Sequence, residues 1–398
     1  MRVVVGGVDT HKDLHVAAAV DEQGRVLGVS EWETTRSGYR GLLDWLLSFG
    51  SCVKVGVEGT GSYGAGLTRY LRSQDIQVLE VNRPNRQTRR LRGKSDTVDA
   101  EAAARAVLAG QARVTPKSQD GIVESIRAIR IAFVSARRAR AKVANQIRDL
   151  LVSAPEGLRS ALQGLEGDER VKRLAAMRPS GDPADPLQGT KLALRSLART
   201  YQTLNTEIEQ LRSMLDELTA RANPALSGAH GVGSDAAAIL LIAAGDNPQR
   251  LKNESSFAAL CGVSPVQASS GKTHRHRLNR GGNRQANHAL WRIATIRLLT
   301  DPDTKRYAKR RSEEGKSRRE IVRCLKRHIA REIFKHLTNP QPVPDGAQLR
   351  AARQRAKISL QTLATQTKSW PIRISELERG LRHDTRLARQ CQALLNQT

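Results

Sequence analysis

Short apolar runs dominate the first part of the chain. RVVVGGVD, LHVAAAVD and RVLGVSEW, each bounded by turn residues, predict three successive strands. GYRGLLDWLLSF then shows helical spacing, followed by a strand VKVGVE, a helix near GAGLTRYLRSQ, a strand IQVLEV and an alanine-rich helix DAEAAARAVLAG. Three antiparallel strands followed by strand and helix alternation is the order of an RNase H-like sheet. An α/β domain is therefore expected over residues 1–115.

Beyond it the pattern lengthens into charged helices, among them ESIRAIRIAFVSARRARAKVANQIRDLLVSA. In the next, Leu192, Leu194, Leu197, Leu204, Ile208, Leu211, Leu215 and Leu218 recur mostly at spacings of three, four and seven, the seam of a coiled coil or bundle. Residues 116–222 are thus expected to form a helical, coiled-coil region turning at 178–189, with its apolar stripe used for packing. Residues 223–339 form a further, mainly helical unit. It opens on GAHGVGSDAAAILLIAAGD, a glycine turn plus helix resembling the element that meets phosphate through main-chain N–H groups in helix-hairpin-helix modules. A Pro-rich linker at 340–346 leads to a last segment, 347–398.

Charge narrows the function. The formal net charge is +27, from 66 Lys and Arg against 39 Asp and Glu, which points to a polyanionic partner. There is no run of about 18 apolar residues and no signal-like start, so a membrane partner is not expected and a cytoplasmic location is. Cys52, Cys261, Cys324 and Cys391 are scattered singly, which suggests neither a disulfide framework nor a zinc ribbon. With aromatics at 3%, contact with a phosphate backbone is a better expectation than base stacking.

Four acids stand where an RNase H-like fold collects metal ligands. Asp9 ends the first strand in GGVDTHKD, and Glu58 ends a later one in VGVEGTGSYG. Asp96 and Asp99 in KSDTVDAEAAARA share one face of a helix's first turn. Such a set can hold two Mg²⁺ ions that clamp the attacking and leaving oxygens of a phosphodiester. Each acid alone also reads as a turn residue or a favourable helix-start charge; the ordered set of four favours chemistry. Just upstream, Arg83, Arg86, Arg89, Arg90, Arg92 and Lys94 lie with no acid among them, a seat for a phosphate backbone or a solvated basic loop.

Between Glu254 and Asp301 there is no acid at all. Lys272, Arg275, Arg277, Arg280 and Arg284 fall in that interval, around Ser269, Ser270 and Gly271. So much uncompensated charge calls for a bound anion. A positive field favours a serine alkoxide, although no base is identifiable in the sequence. His274, His276 and His288 make a poor zinc signature, and phosphate contact or plain exposure suits them better.

GVDTHKD, VGVEGTGSYG, KSDTVDAEAAARA and LCGVSP, SSGK, NRGGNRQANHALW, in this order, resemble the DEDD-type insertion-sequence transposases of the IS one-ten group, relatives of the Piv DNA invertases. The resemblance covers about residues 3–338. It implies a RuvC-like domain holding Mg²⁺ through Asp9, Glu58, Asp96 and Asp99. It also implies a serine that attacks DNA to form a phosphoserine link, matched here to Ser270, with Ser269 as second choice. Further implications are a homo-oligomer (dimer or tetramer) with sites built from two protomers, and a structured bridge RNA that pairs with target and donor DNA. The tail 347–398 resembles a Cro/repressor-type helix-turn-helix, with Leu349, Ala352, Leu360, Leu363, Ala364, Ile374 and Leu377 at its buried positions. Lys368 stands where that turn usually carries glycine, and Arg373 and Ser375 are the candidate groove contacts; a helical protein-interaction cap is the other reading. The function implied is a DNA transposase or site-specific recombinase. Its rivals are a RuvC-like metal-dependent structure-specific nuclease, which needs no serine, and a non-catalytic DNA-binding regulator.

Overall fold

The computed structural model describes residues 2–81, 95–271, 276–381 and 384–396, with His276 described by its backbone alone. The chain forms two units, residues 1–124 with 244–257, and residues 125–243 with 258–398.

In the first unit β1 (Val3–Thr10), β2 (Leu14–Asp21), β3 (Val26–Glu33), β4 (Ser51–Glu58) and β5 (Gln77–Val81) make one sheet in the order β3-β2-β1-β4-β5. β2 runs antiparallel to β1 and β3, and β4 runs parallel to β1 and β5. Tight turns can join only antiparallel neighbours, so the helical crossovers carry the parallel pairs. The arrangement is consistent with the RNase H-like sheet expected from the strand order. Inner strand β2 is buried along nearly its whole length, with Ala17, Ala18 and Ala19 fully covered, whereas edge strand β3 alternates towards solvent.

Because strand side chains alternate, each inner strand feeds two cores. On one face α1 (Arg36–Ser48) and α2 (Ala65–Ser73) bury Leu42, Leu46, Leu67 and Leu71 against Val4, Val8, Val55 and Val57. On the other, α3 (Asp96–Leu108) sets Ala104 and Val107 against Val5, Val20 and Leu79. Helix α3 starts at Asp96, three residues before the alanine-rich run suggests, because extended Ser95 accepts the Asp99 N–H through its carbonyl and two first-turn carboxylates suit the positive end of the helix. Residues 244–257, which chain order alone would leave with the serine-bearing segment, pack in the first unit. The Asn247 amide donates to Pro116 O and accepts from Ser118 N, and Asp246 accepts from Val123 N.

The long helix α4 (Ile122–Ser153) leads into the second unit, followed by α5 (Glu156–Ala161), α6 (Gly167–Ala175) and α7 (Pro186–Ala222). The expected turn is shorter than predicted: Asp185 caps Leu187 N and Pro186 opens α7, where its missing N–H costs nothing. Along the leucine stripe Leu194, Ile208 and Leu215 are buried, and Leu194 packs with Val143 and Ile147 of α4, Leu158 of α5 and Leu174 of α6. Then come α8 (Pro224–Ser227), α9 (Ser234–Ala244), α10 (Glu254–Leu260), the ribbon β6 (Val266–Gln267) and β7 (His276–Arg277), α11 (Arg284–Thr300), α12 (Pro302–Glu313) and α13 (Arg318–Thr338). Among the described residues no helix is long and apolar enough to cross a membrane.

The tail folds as α14 (Gly346–Arg355), α15 (Leu360–Thr367), α16 (Pro371–Glu378) and α17 (Thr385–Leu395). Leu349, Leu363, Ala364, Ile374 and Leu377 form its core with Leu387, Ala388 and Cys391, while Ala352 and Leu360 pack at the edge. Arg353 grips buried Glu378 with two bonds of 2.6 and 2.8 Å. Lys368, between α15 and α16, sits in the left-handed region with φ +53°, which is why that place usually carries glycine. Lys368→Gly is expected to stabilise the tail by about 0.5–1 kcal/mol and Lys368→Val to destabilise it, as read by urea denaturation.

Candidate active site

Two glycines set the position of α3. Gly7 and Gly56 pair in register across β1 and β4, and both face α3. A Cβ at Gly7 would collide with Ala104 N and Ala100 O, and one at Gly56 with Val107 and Ala103 O, so the helix backbone lies directly on the strands. The next residues on that face are Asp9 and Glu58, two positions further along each strand. Beyond the glycines, at the same end, lie Asp96 and Asp99 in the first turn of α3.

Asp9, Glu58 and Asp99 are buried, with 7%, 8% and 8% of their surfaces exposed, and Asp96 is half-buried. Burial raises the Asp9 carboxyl above its usual range. His11 opposes that rise, and the charges of Glu58, Asp99 and Asp96 add to it. The structure therefore brings Glu58, Asp96 and Asp99 within electrostatic reach of Asp9. Thr10 fixes the strand ends by donating its hydroxyl to Glu58 O at 2.8 Å. Sequence reasoning missed His11, whose Nε2 lies 3.2 Å from Asp9 Oδ2 and 3.3 Å from Asp96 Oδ2. Its position two residues after Asp9 was the available signal. Donor atoms of Asp9, His11 and Asp96 all lie within 4.8 Å of one another. Crowded, partly desolvated carboxylates with one imidazole are a donor set that fits a divalent cation.

The serine pair lies in the second unit, on the ribbon of β6 and β7. Ser270 is exposed; Ser269 is half-buried and accepts from Gln267 Nε2 at 3.5 Å. The root of the ribbon is clamped. Gly282 lies so close to Gly262 that a Cβ there would strike its main chain, and Asn287 donates its amide to Cys261 O and Gly262 O at 2.9 and 3.0 Å. Asn283 caps α11 by accepting from Gln285 N and Ala286 N. Arg277, Arg280, Arg284 and, in the tail, Arg373 are exposed. Arg83, Arg86, Arg89, Arg90, Arg92, Lys94, Lys272 and Arg275 lie outside the described residues, as does His274. Helix α9, which follows the glycine turn, carries an acid of its own in its first turn. Asp235 is held by Arg130 at 2.9 Å and Arg292 at 2.6 Å, which together outweigh burial and keep its carboxyl below the usual range.

Residues 6–154 match the family model of DEDD-type IS110 transposases, and residues 223–309 match that of the IS116/IS110/IS902 transposase family. The chain belongs to the IS110 transposase family. The first match contains Asp9, Glu58, Asp96 and Asp99, and the second contains Ser269 and Ser270. This IS110-family chain is also 27% identical over 167 residues to the "Insertion element IS110 uncharacterized 43.6 kDa protein" of Streptomyces coelicolor. That similarity takes in 40% of the chain and spans 41% of the relative's length.

The glycine contact makes a direct prediction for the IS110-family fold. Gly7→Ala must push α3 off the sheet and is expected to cost about 3 kcal/mol in urea denaturation, whereas Gly61→Ala, whose new Cβ would meet only Gln119 Nε2 at an ordinary 3.9 Å, stays within about 0.5 kcal/mol.

Proposed function

We propose that this chain is a DNA transposase that cuts and rejoins strands, with Asp9, Glu58, Asp96 and Asp99 holding Mg²⁺ and Ser270 as nucleophile. The observation that carries the reading is the gathering of four carboxylates at the ends of β1 and β4 and the start of α3, where the other three raise the cost of ionising Asp9. When bound, Mg²⁺ neutralises phosphate charge and orients the scissile group. Ser270 Oγ attacks the phosphorus and gives up its proton; the bond to the 3′ oxygen breaks, and that oxygen leaves as a hydroxyl after taking a proton. The chain keeps the 5′ phosphate as a serine ester. The 3′ hydroxyl of a partner strand reverses the step and frees the serine, so rejoining needs no external energy. Exposure favours Ser270 over half-buried Ser269.

Arg277, Arg280 and Arg284 would hold the backbone near the serine, and Arg83, Arg86, Arg89, Arg90, Arg92, Lys94, Lys272 and Arg275 join this reading on their charge alone. The tail, with Arg373 exposed at the start of α16, would add a second DNA contact. A bridge RNA and a homo-oligomer that joins acids and serine from different copies rest on the family resemblance.

On a recombination substrate with Mg²⁺, the native chain is expected to form a covalent protein–DNA adduct that Ser270→Ala lacks. An undiminished adduct in that variant removes Ser270 from the role, and a double Ser269→Ala, Ser270→Ala chain that still cuts identifies a water-using nuclease. Asp9→Asn is expected to lower cleavage by about a thousandfold, roughly 4 kcal/mol of barrier. If the native chain binds but never cleaves, the regulator reading stands instead.

A further inference from the structure

A pocket of about 580 Å³ opens at the root of the serine ribbon, within the roughly 300–1,000 Å³ usual for small-molecule sites. One wall is the chain entering β6, from Gly262 to Pro265, with the chain leaving β7, from Arg277 to Asn279. The other comes from Tyr307 and Arg311 of α12 and from Arg323 to His328 of α13. No carboxylate lines it, whereas Arg277, Arg311, Arg323, Lys326 and Arg327 all do. Val263, Pro265, Leu278 and the Tyr307 ring supply apolar surface.

The pocket and the ribbon are mechanically joined. Lys326 donates to Asn287 Oδ1 at 2.9 Å, and Asn287 is the residue that holds the carbonyls at the ribbon root. Burial of the Lys326 ammonium, with Arg323 beside it, lowers its pKa, a cost that an arriving anion would relieve. Arg311 is paired with Glu314, but Arg277, Arg323 and Lys326 border a pocket whose lining holds no carboxylate; such cations select a phosphate, and the apolar wall suits a nucleobase. The position at the serine ribbon selects the strand that the serine engages.

We propose that this pocket receives one nucleotide of a DNA strand, unstacked from its neighbours, beside the phosphodiester that the serine engages. The proposal rests on reading the ribbon as the DNA-handling element.

Cys324 lines the pocket and is the one cysteine of the four that is not buried, so it provides a probe. Full-length Ser270→Ala protein, unable to form the adduct, is treated with N-ethylmaleimide without divalent metal, and alkylation of Cys324 is followed by mass spectrometry. Short single-stranded DNA at about ten times its Kd is expected to slow alkylation about tenfold, since only free protein reacts. dAMP should protect at higher concentration, and inorganic phosphate much less. Arg277→Gln with Arg323→Gln, both exposed side chains, should weaken protection by dAMP about tenfold while the melting temperature is kept. Unchanged alkylation while fluorescence anisotropy reports bound DNA overturns the proposal. So does protection by RNA and not DNA, by dAMP and not a strand, or by phosphate as well as by dAMP. If native protein forms no serine adduct yet DNA still protects Cys324, the nucleophile reading falls and the pocket stands.

Discussion

The contact between the backbone of α3 and the paired glycines Gly7 and Gly56 governs the acidic site. Side chains at those positions would hold the helix away from the sheet, and Asp96 and Asp99 would leave the neighbourhood of Asp9 and Glu58. The alanines of α3 complement the glycines. Ala100, Ala103 and Ala104 are all buried, so beside Gly7 the helix turns only small side chains to the strands. Glycine in a strand interior weakens the strand, and here the close approach of a second backbone is what it makes possible.

A second small-residue contact does similar work in the other unit. Gly262 and Gly282 let the chain on either side of the serine ribbon close upon itself, and Asn287 ties the carbonyls of Cys261 and Gly262 to α11. Main chain and amides anchor the ribbon, which leaves its charged side chains for an outside anion. Arg277, Arg280 and Arg284 are accordingly exposed rather than consumed in folding.

Much of this was legible in the sequence because it depends on local order. Strand alternation and the turn residues between runs gave the five strands, and each acid could be identified because it stood at the end of a predicted element. Other features depend on contacts between distant segments, which periodicity does not encode. His11 becomes a candidate ligand only when the start of α3 arrives beside β1. Residues 244–257 join the first unit through Asn247 and Asp246, two polar residues in a loop that hydropathy ignores. The pocket beside the ribbon draws on four stretches of chain, and neither Tyr307 nor Lys326 belongs to a motif. Lys368 shows the opposite case: a departure from the usual glycine was visible in sequence, and the backbone accepts it in the left-handed region.

The acids and the serine stand on different kinds of support, and their chemistry gives a reason. Neighbouring carboxylates repel one another, so the site proposed to hold a cation would need a scaffold stiff enough to keep them together before the ion arrives. A five-stranded sheet with a helix seated on its glycines provides it, and the Asp9 carboxyl, raised first by burial and then by the charges of Glu58, Asp99 and Asp96, registers that crowding. In the proposed mechanism the nucleophile becomes an ester with DNA and would face a different constraint, since its oxygen must be reachable by a bulky strand and remain attached to it between cutting and rejoining. An exposed Ser270 on a two-stranded ribbon clamped at its root meets that requirement. Burying the serine for better activation would close the path by which the strand arrives. The positive field of the surrounding arginines acts through space and needs no burial, so it would favour the alkoxide without closing that path.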